Sequence, residues 1–229
     1  MAGQFSATAT GPLSEEDGEA TVHERVYRAL RERILFGGFR PGFSVTLRGL
    51  AEELGVSPMP VREAVRRLIA ERALELHGNR RVTVPAMTAA KFEQIVFARR
   101  ALEPELAVRA MPRLDTQAIT RLETIDDRID TAMREGDAEG YMRGNHQFHM
   151  AIYERAEAAT LLAVVTSIWL QFGPFMRLVY GRFGTSDLQD QHMLALAALK
   201  DGDAGGLRAA IEEDIMQGMR FIGEAALAG

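Results

Sequence analysis

Apolar positions change their spacing several times along residues 21–84, and each change marks an element. Val22, Val26, Ala29, Leu30 and Ile34 step by three and four, which predicts an amphipathic helix capped by Thr21 and ended at Gly37 and Gly38. The FRPGF segment then turns the chain. A second stripe of Leu47, Leu50, Ala51 and Leu54 starts behind Thr46, and Gly55 supplies the tolerance of positive φ that a sharp stop requires. Ser57 opens a third helix with Val61, Ala64, Val65 and Leu68 as its buried stripe. Pro58 and Pro60 fall in its first turn, where the missing N–H groups would have had no intrahelical partner, so they start this helix rather than break it. Beyond Arg72 the period drops to two. Leu74 and Leu76 share one side, His77, Gly78 and Asn79 form a turn, and Val82 and Val84 return, with Arg80 and Arg81 at the hairpin tip. This order of helices, turn and hairpin is that of a winged helix-turn-helix.

After a short connection at 85–88 the helical period resumes and continues to the end of the chain. Helices are expected near 89–111, 115–135, 138–157, 160–181, 187–201 and 204–226, separated by MPRLD, REGD, ERAEAA, GRFGTSD and KDGDAG. Gly173 and Pro174 interrupt the fourth of these. A kink is expected there, because Trp169, Phe172, Met176 and Val179 carry the stripe straight through. Ser186 with Gln189 reads as a capping box for the fifth. The fold class is therefore mainly α, with a flexible tail at 1–20, a winged helix-turn-helix at 21–85 and an all-helical bundle at 86–229.

Composition changes the picture at three points. At 229 residues the chain has room for two ordinary domains, and no apolar run is expected to approach the ~20 residues that cross a bilayer. With no cysteine, disulfides and thiolate metal sites are excluded. The start MAGQFSATAT lacks the basic and apolar regions of a signal peptide, so a cytoplasmic location with no membrane partner is the expectation. Between Thr21 and Val84 stand 12 Lys+Arg against 7 Asp+Glu, or +5, while the whole chain is −5, which leaves −10 for the rest.

That local excess gives the winged helix its chemistry. Met59, Arg62, Glu63, Arg66 and Arg67 face outward from the third helix, so three arginines share one exposed surface with an arginine-tipped wing beyond it. Guanidinium forks bond both phosphate oxygens and the O6/N7 edge of guanine. Arg48, Ser57, Met59, Arg62, Arg66, Arg67, Arg80 and Arg81 are accordingly the expected contacts to double-stranded DNA. Two other readings are a merely solvated face and a surface for an acidic partner protein.

In the helical half the informative residues are polar ones on apolar stripes. Arg99 falls in line with Phe92, Ile95, Leu102 and Leu106, and burying it is costly unless an anion meets it. Asn145 and His149 lie four apart on one face with Phe148 and Ile152; His192 aligns with Ala195, Leu196 and Leu199; Asp214 aligns with Leu207, Ile211 and Gly218. Two imidazoles and a carboxylate are the ligand set of an open divalent-metal site, which the Asn145 oxygen could complete. Taken singly, each is as well read as a core residue satisfied by a neighbour. Arg99 could find that anion in Glu103 one turn on, and Arg177 is expected to point inward beside it. His146, about 100° round the helix from Asn145, is expected to face solvent.

The run from Val26 to Val84, with FGGFRPGFSVT, LAEELGVSPMPVREAVRRL and the NRRVTV wing, resembles the DNA-binding domain of GntR-type bacterial transcription regulators. ARRALEPELA, NHQFH and the block from His192 to Asp214 resemble the FCD ligand-binding domain of the FadR-like branch of that family. The resemblance implies a regulator, most simply a repressor, that binds a palindromic operator as a homodimer. It also implies a small organic acid bound beside a metal ion held by an Asp or Asn and three histidines. Asn145, His149 and His192 match three of those positions, and Arg99 matches the family's pocket arginine, which would clamp the carboxylate of an effector through a bidentate pair. Three departures stand out: Pro58 replaces the usual Arg, Arg81 replaces the usual wing-tip Gly, and Asp214 replaces the third His. An Asp in that place leaves Zn, Mn, Ni and Mg all open as the ion. A metal-dependent enzyme built on His149, His192 and Asp214 is the alternative.

Overall fold

Thr21 accepts the Glu24 amide on its hydroxyl while the Glu24 carboxylate accepts the Thr21 amide, so α1 (Val22–Leu35) opens with two orphan donors satisfied. The computed structural model describes residues 20–42, 44–78, 81–180 and 190–227, apart from the side chains of 178–180 and 225. The expected tail and the Ser186–Gln189 capping box lie largely or wholly outside those residues. The chain divides into compact units at Met1–Ala86 and Met87–Gly229.

In the first unit, α2 (Leu47–Leu54) is capped by the Thr46 hydroxyl and stopped by Gly55 at φ 66°, and α3 (Pro58–Ala70) starts on Pro58. Leu30, Ile34, Leu50, Leu54, Val61, Val65 and Leu68 are buried, so the stripes read from the sequence face one core. The strands β1 (Ser44–Thr46), β2 (Glu75–Leu76) and β3 (Arg81–Thr83) form an antiparallel sheet in the order β1-β3-β2. β1 was not expected, because three residues are too few to show alternation. Two expectations for the wing fail. Leu76 is 49% exposed while Leu74 is buried: the chain leaves α3 through Arg72 at φ 60°, and the strand begins only at Glu75, so no common period joins the two leucines. Arg81 is not at a tip. It is the first residue of β3, opposite Thr46, and its guanidinium donates to the Ser44 hydroxyl at 2.7 Å.

The second unit has helices and no strand among its described residues: α4 (Ala89–Ala110), α5 (Thr116–Glu135), α6 (Ala138–Tyr153), α7 (Ala159–Tyr180), α8 (Gln191–Asp201) and α9 (Ala204–Ala226). Short 3-10 turns extend α4 and α6 at Met111–Arg113 and Glu154–Ala156. Thr88, Asp115, Asp137, Asp190 and Asp203 cap five of these helices, each accepting an amide three residues on. α8 thus begins at Gln191, a few residues later than expected. α7 runs unbroken through Gly173 and Pro174.

α4 packs chiefly on α9, α5 on α6 and α8 on α9, while α7 touches α4, α6 and α9. Against the expectation that no run reaches that length, Ala159–Arg177 is long and apolar enough to cross a membrane, although Thr166, Ser167 and Gln171 interrupt its apolar residues. Trp169, Leu170, Phe172 and Phe175 in its second half are buried in the bundle, while Leu161, Leu162 and Val164 in its first turns are not. Gly144 sets the approach of α5 and α6: a Cβ there would lie 2.6 Å from Cγ1 of Ile129. That close contact fixes the depth of the next residue, Asn145.

Candidate functional site

Two places carry chemistry, one in each unit. On α3, Arg62 and Arg66 are four residues apart and project from one exposed face, with Met59 59% exposed in the first turn. Arg62 makes no hydrogen bond or ion pair among the described residues, and Arg66 reaches only Glu63, at 3.3 Å on the open surface. Arg67 departs from the expectation of three arginines on one face. Five residues from Arg62 it points some 140° away, where its guanidinium lies 3.7 Å over the Tyr27 ring and 3.5 Å from Glu71. Tyr27 donates to that same carboxylate at 2.7 Å, and partial burial with the Glu71 bond pushes its phenol up to about 12. Arg67 therefore ties α3 to α1.

Ser57 occupies the cap position of α3 but makes no cap hydrogen bond. A cap hydroxyl needs an amide at the second or third helical residue, and the third is Pro60, which has none. Arg48 is exposed and pairs with Glu52 at 2.8 Å, while Arg80 lies outside the described residues.

In the helical unit a cavity of about 280 Å³ opens among α4, α5, α6, α7, α8 and α9. Arg99, Asn145, His192 and Asp214 line it, and His149, wholly buried, stands 3.1 Å from an Asp214 oxygen. His192 approaches the other Asp214 oxygen at 3.7 Å. The ligating atoms of His149, His192 and Asp214 all lie within 4.8 Å of one another.

The far side of each imidazole decides what the near side can do. Tyr153 donates its hydroxyl proton to Glu103 at 3.0 Å, so towards His149 Nδ1, 2.9 Å away, it acts as acceptor and Nδ1 must carry the proton. Asp126 likewise takes the Nδ1 proton of His192 at 2.9 Å. Both Nε2 atoms are buried without a hydrogen bond, and a neutral ring with its proton on Nδ1 turns the Nε2 lone pair on Asp214. Three lone pairs meeting in a buried place call for a cation, and imidazoles held from behind by a carboxylate and a phenol have the outer support that metal-ligating histidines have. Without an ion, protonation serves instead. Burial alone would raise the Asp214 carboxyl, but His149, His192 and Arg99 outweigh it and bring it down to about 2. Burial lowers the affinity of His192 for a proton, yet Asp126 and Asp214 together hold it above the ordinary imidazole value.

Three expected positions are corrected or qualified. Arg99 is buried, but it is already paired with Glu103 at 2.5 and 3.2 Å and lies 4.1 Å over the Phe172 ring, so any acid it clamps shares it with an internal carboxylate. Arg177 is exposed, since it falls 100° past the cavity-lining Met176. His146 is not solvent-facing; its ring packs edge-on against Trp169 at 5.2 Å. The sequence reading missed Asp126 and Tyr153. Asp126 had a signal, because it lies on the stripe of Leu122, Ile125 and Ile129, a carboxylate where an apolar residue belongs.

A winged helix with an open guanidinium face, followed by a helical bundle around a polar cavity, defines a DNA-binding transcription regulator with a ligand-binding half. Residues 22–84 match the bacterial regulatory proteins of the gntR family and residues 94–216 match the FCD domain; the chain belongs to the GntR family, in its FadR-like branch. It is similar to the HTH-type transcriptional regulator McbR of Escherichia coli (strain K12), 29% identical over 201 residues, 86% of this chain and 91% of that protein. The solved E. coli McbR/YncC structure superposes with a TM-score of 0.83 at 28% identity, covering 90% of this chain and 98% of that one. The gluconate operon transcriptional repressor of Bacillus subtilis (strain 168) is 25% identical over 196 residues, 81% of this chain and 78% of that protein. These relatives are regulators, and the chain is not an enzyme.

Proposed function

We propose that the chain is a repressor that binds a palindromic operator as a homodimer, and that a small carboxylate held with a divalent ion in the helical unit sets its grip. One recognition helix covers half a site, so a twofold protein suits half-sites near one helical turn, ~34 Å, or a multiple apart. Repression has the support of the relative whose name states it. Action on the chromosome implies a cytoplasmic protein. Arg62, Arg66 and Met59 are the side chains offered to base edges; Ser57, Arg48, Arg80 and Arg81 are offered to the backbone. Arg67 contributes by fixing the angle of α3.

The observation that carries the ligand half is the pair of unbonded Nε2 atoms aimed at Asp214, with both Nδ1 protons already committed. His149, His192 and Asp214 would hold the ion, with Asn145 beside them. This donor set suits Zn, Ni and Mn better than Mg. A bound ion supplies positive charge for a ligand carboxylate, which Arg99 receives from the other side. The ligand then shifts operator affinity only as far as it prefers one of two arrangements of the dimer.

Elemental analysis of the purified chain and thermal unfolding with and without a chelator test this reading. Bound metal at 100 times its dissociation constant stabilises the fold by about 2.7 kcal/mol, and His149→Ala should abolish the part that the chelator removes. A chelator effect of equal size in both proteins would sink the ligand assignment. For the head, gel shifts should weaken with salt at a log–log slope near −0.9 per phosphate contacted.

A further inference from the structure

The cavity that the proposed function treats as an effector site is not electrically uniform. Its charged lining among the described residues is one arginine, Arg99, and four aspartates, Asp126, Asp130, Asp190 and Asp214. Glu103 already matches Arg99, so the arginine adds no net charge. Asp214 belongs to the inner end, with His149 and the Nε2 side of His192. The other three gather on the Nδ1 side of the same ring: a carboxylate oxygen from each of Asp126 and Asp190 and a His192 nitrogen lie within 4.8 Å of one another. Partial burial and the neighbouring Asp126 and Asp190 carboxylates raise the Asp130 carboxyl above its usual value against the opposing pull of Arg134.

A divalent ion at the inner end turns Asp214 from −1 to a local +1, while the three aspartates carry −3 at the outer end, offset in part by Arg134, which acts on Asp130. Asn145, nine-tenths buried, lines the cavity with a side chain that makes no hydrogen bond among the described residues, so a polar ligand atom is wanted there. Simple dicarboxylates fit this poorly, because a second carboxylate would lie against three fixed negative charges.

Resting on the reading of this cavity as the effector site, we propose that its ligand is a zwitterion, seated with a carboxylate at the metal and Arg99 end and an ammonium group among Asp126, Asp130 and Asp190. Asp126 is partly committed, since it holds His192; Asp190 spends one oxygen on the Met193 amide. Asp130 and the free oxygen of Asp190 are thus the residues that select the amine. The charge of the ligand's far end is the discriminating property, and chain length is secondary.

Calorimetric titration of the full-length chain loaded with Mn²⁺, using 4-aminobutyrate, butyrate and succinate as probes of nearly equal length, tests this. 4-Aminobutyrate should bind at least tenfold more tightly than succinate, with butyrate between them. In the Asp130→Asn/Asp190→Asn double variant the order of 4-aminobutyrate and succinate should reverse, while butyrate changes less than threefold. Asn caps a helix as well as Asp does, so α8 keeps its start and butyrate reports an intact cavity. Succinate binding as tightly as 4-aminobutyrate to the parent protein, ratios untouched by the double substitution, or no binding of any probe to the Mn²⁺-loaded chain would each overturn the proposal. Absence of bound metal in the parent chain would strike the effector-site reading itself, which elemental analysis reads separately.

Discussion

Arg62 and Arg99 have the same side chain and opposite circumstances. Arg62 stands on the outer face of α3 in water with no partner among the described residues; Arg99 lies inside the bundle, gripped by Glu103 and covered by Trp169 and Phe172. A charge left unmatched at a surface costs the fold nothing and remains available to an external polyanion. A charge taken out of water must bring its counterion with it. The first unit therefore shows its function on its surface, while the second conceals it among pairs already made.

That contrast can be broken in four places, in falling order of effect. Glu103→Gln should cost about 3–5 kcal/mol of unfolding free energy by stranding the buried Arg99 charge; denaturant titration measures it, and a loss under 1 kcal/mol would mean that Arg99 escapes to solvent. Arg62→Ala should change stability by less than about 0.5 kcal/mol yet weaken specific operator binding by about 1–3 kcal/mol per half-site, read by gel shift against a scrambled duplex. The third is acid. Asp214 has its folded-state pKa depressed to about 2 from an ordinary 3.8, so its contribution is present above about pH 4 and disappears as the pH falls towards 2. In chelator, the melting-temperature gap between the parent and Asp214→Asn should close over that interval. The smallest effect is Ser57→Ala. Removing a cap usually costs about 1 kcal/mol, but Ser57 makes no cap bond, so stability should hold to within a few tenths while operator affinity falls.

Most of the fold was legible because its signals are local. Capping residues, αL glycines at Gly55, Gly136 and Gly202, and stripes of period three to four placed each α-helix of the described residues to within a few residues. The wing was read less well: strands of two and three residues carry no period, and the pairing of Arg81 with Ser44 joins residues 37 apart. At the cavity, His149, His192, Asp214 and Asn145 were legible as polar residues on apolar stripes. Their outer partners were harder to see, since Asp126 meets His192 across 66 residues and Tyr153 meets Glu103 across 50. Arg67 and Arg177 were misplaced for one reason. A residue adjacent in sequence to one on the working face sits 100° away from it, and only the packing of a neighbouring element shows which of the two lies on that face.

The prolines at the head of α3 have a consequence of their own. Each ring holds φ near −65°, so this turn is stiff before any duplex arrives and little freedom remains to be lost on docking. Stiffness takes over the task that a hydroxyl bond performs at most helix starts, and the Ser57 oxygen can meet a phosphate without first breaking a bond at home.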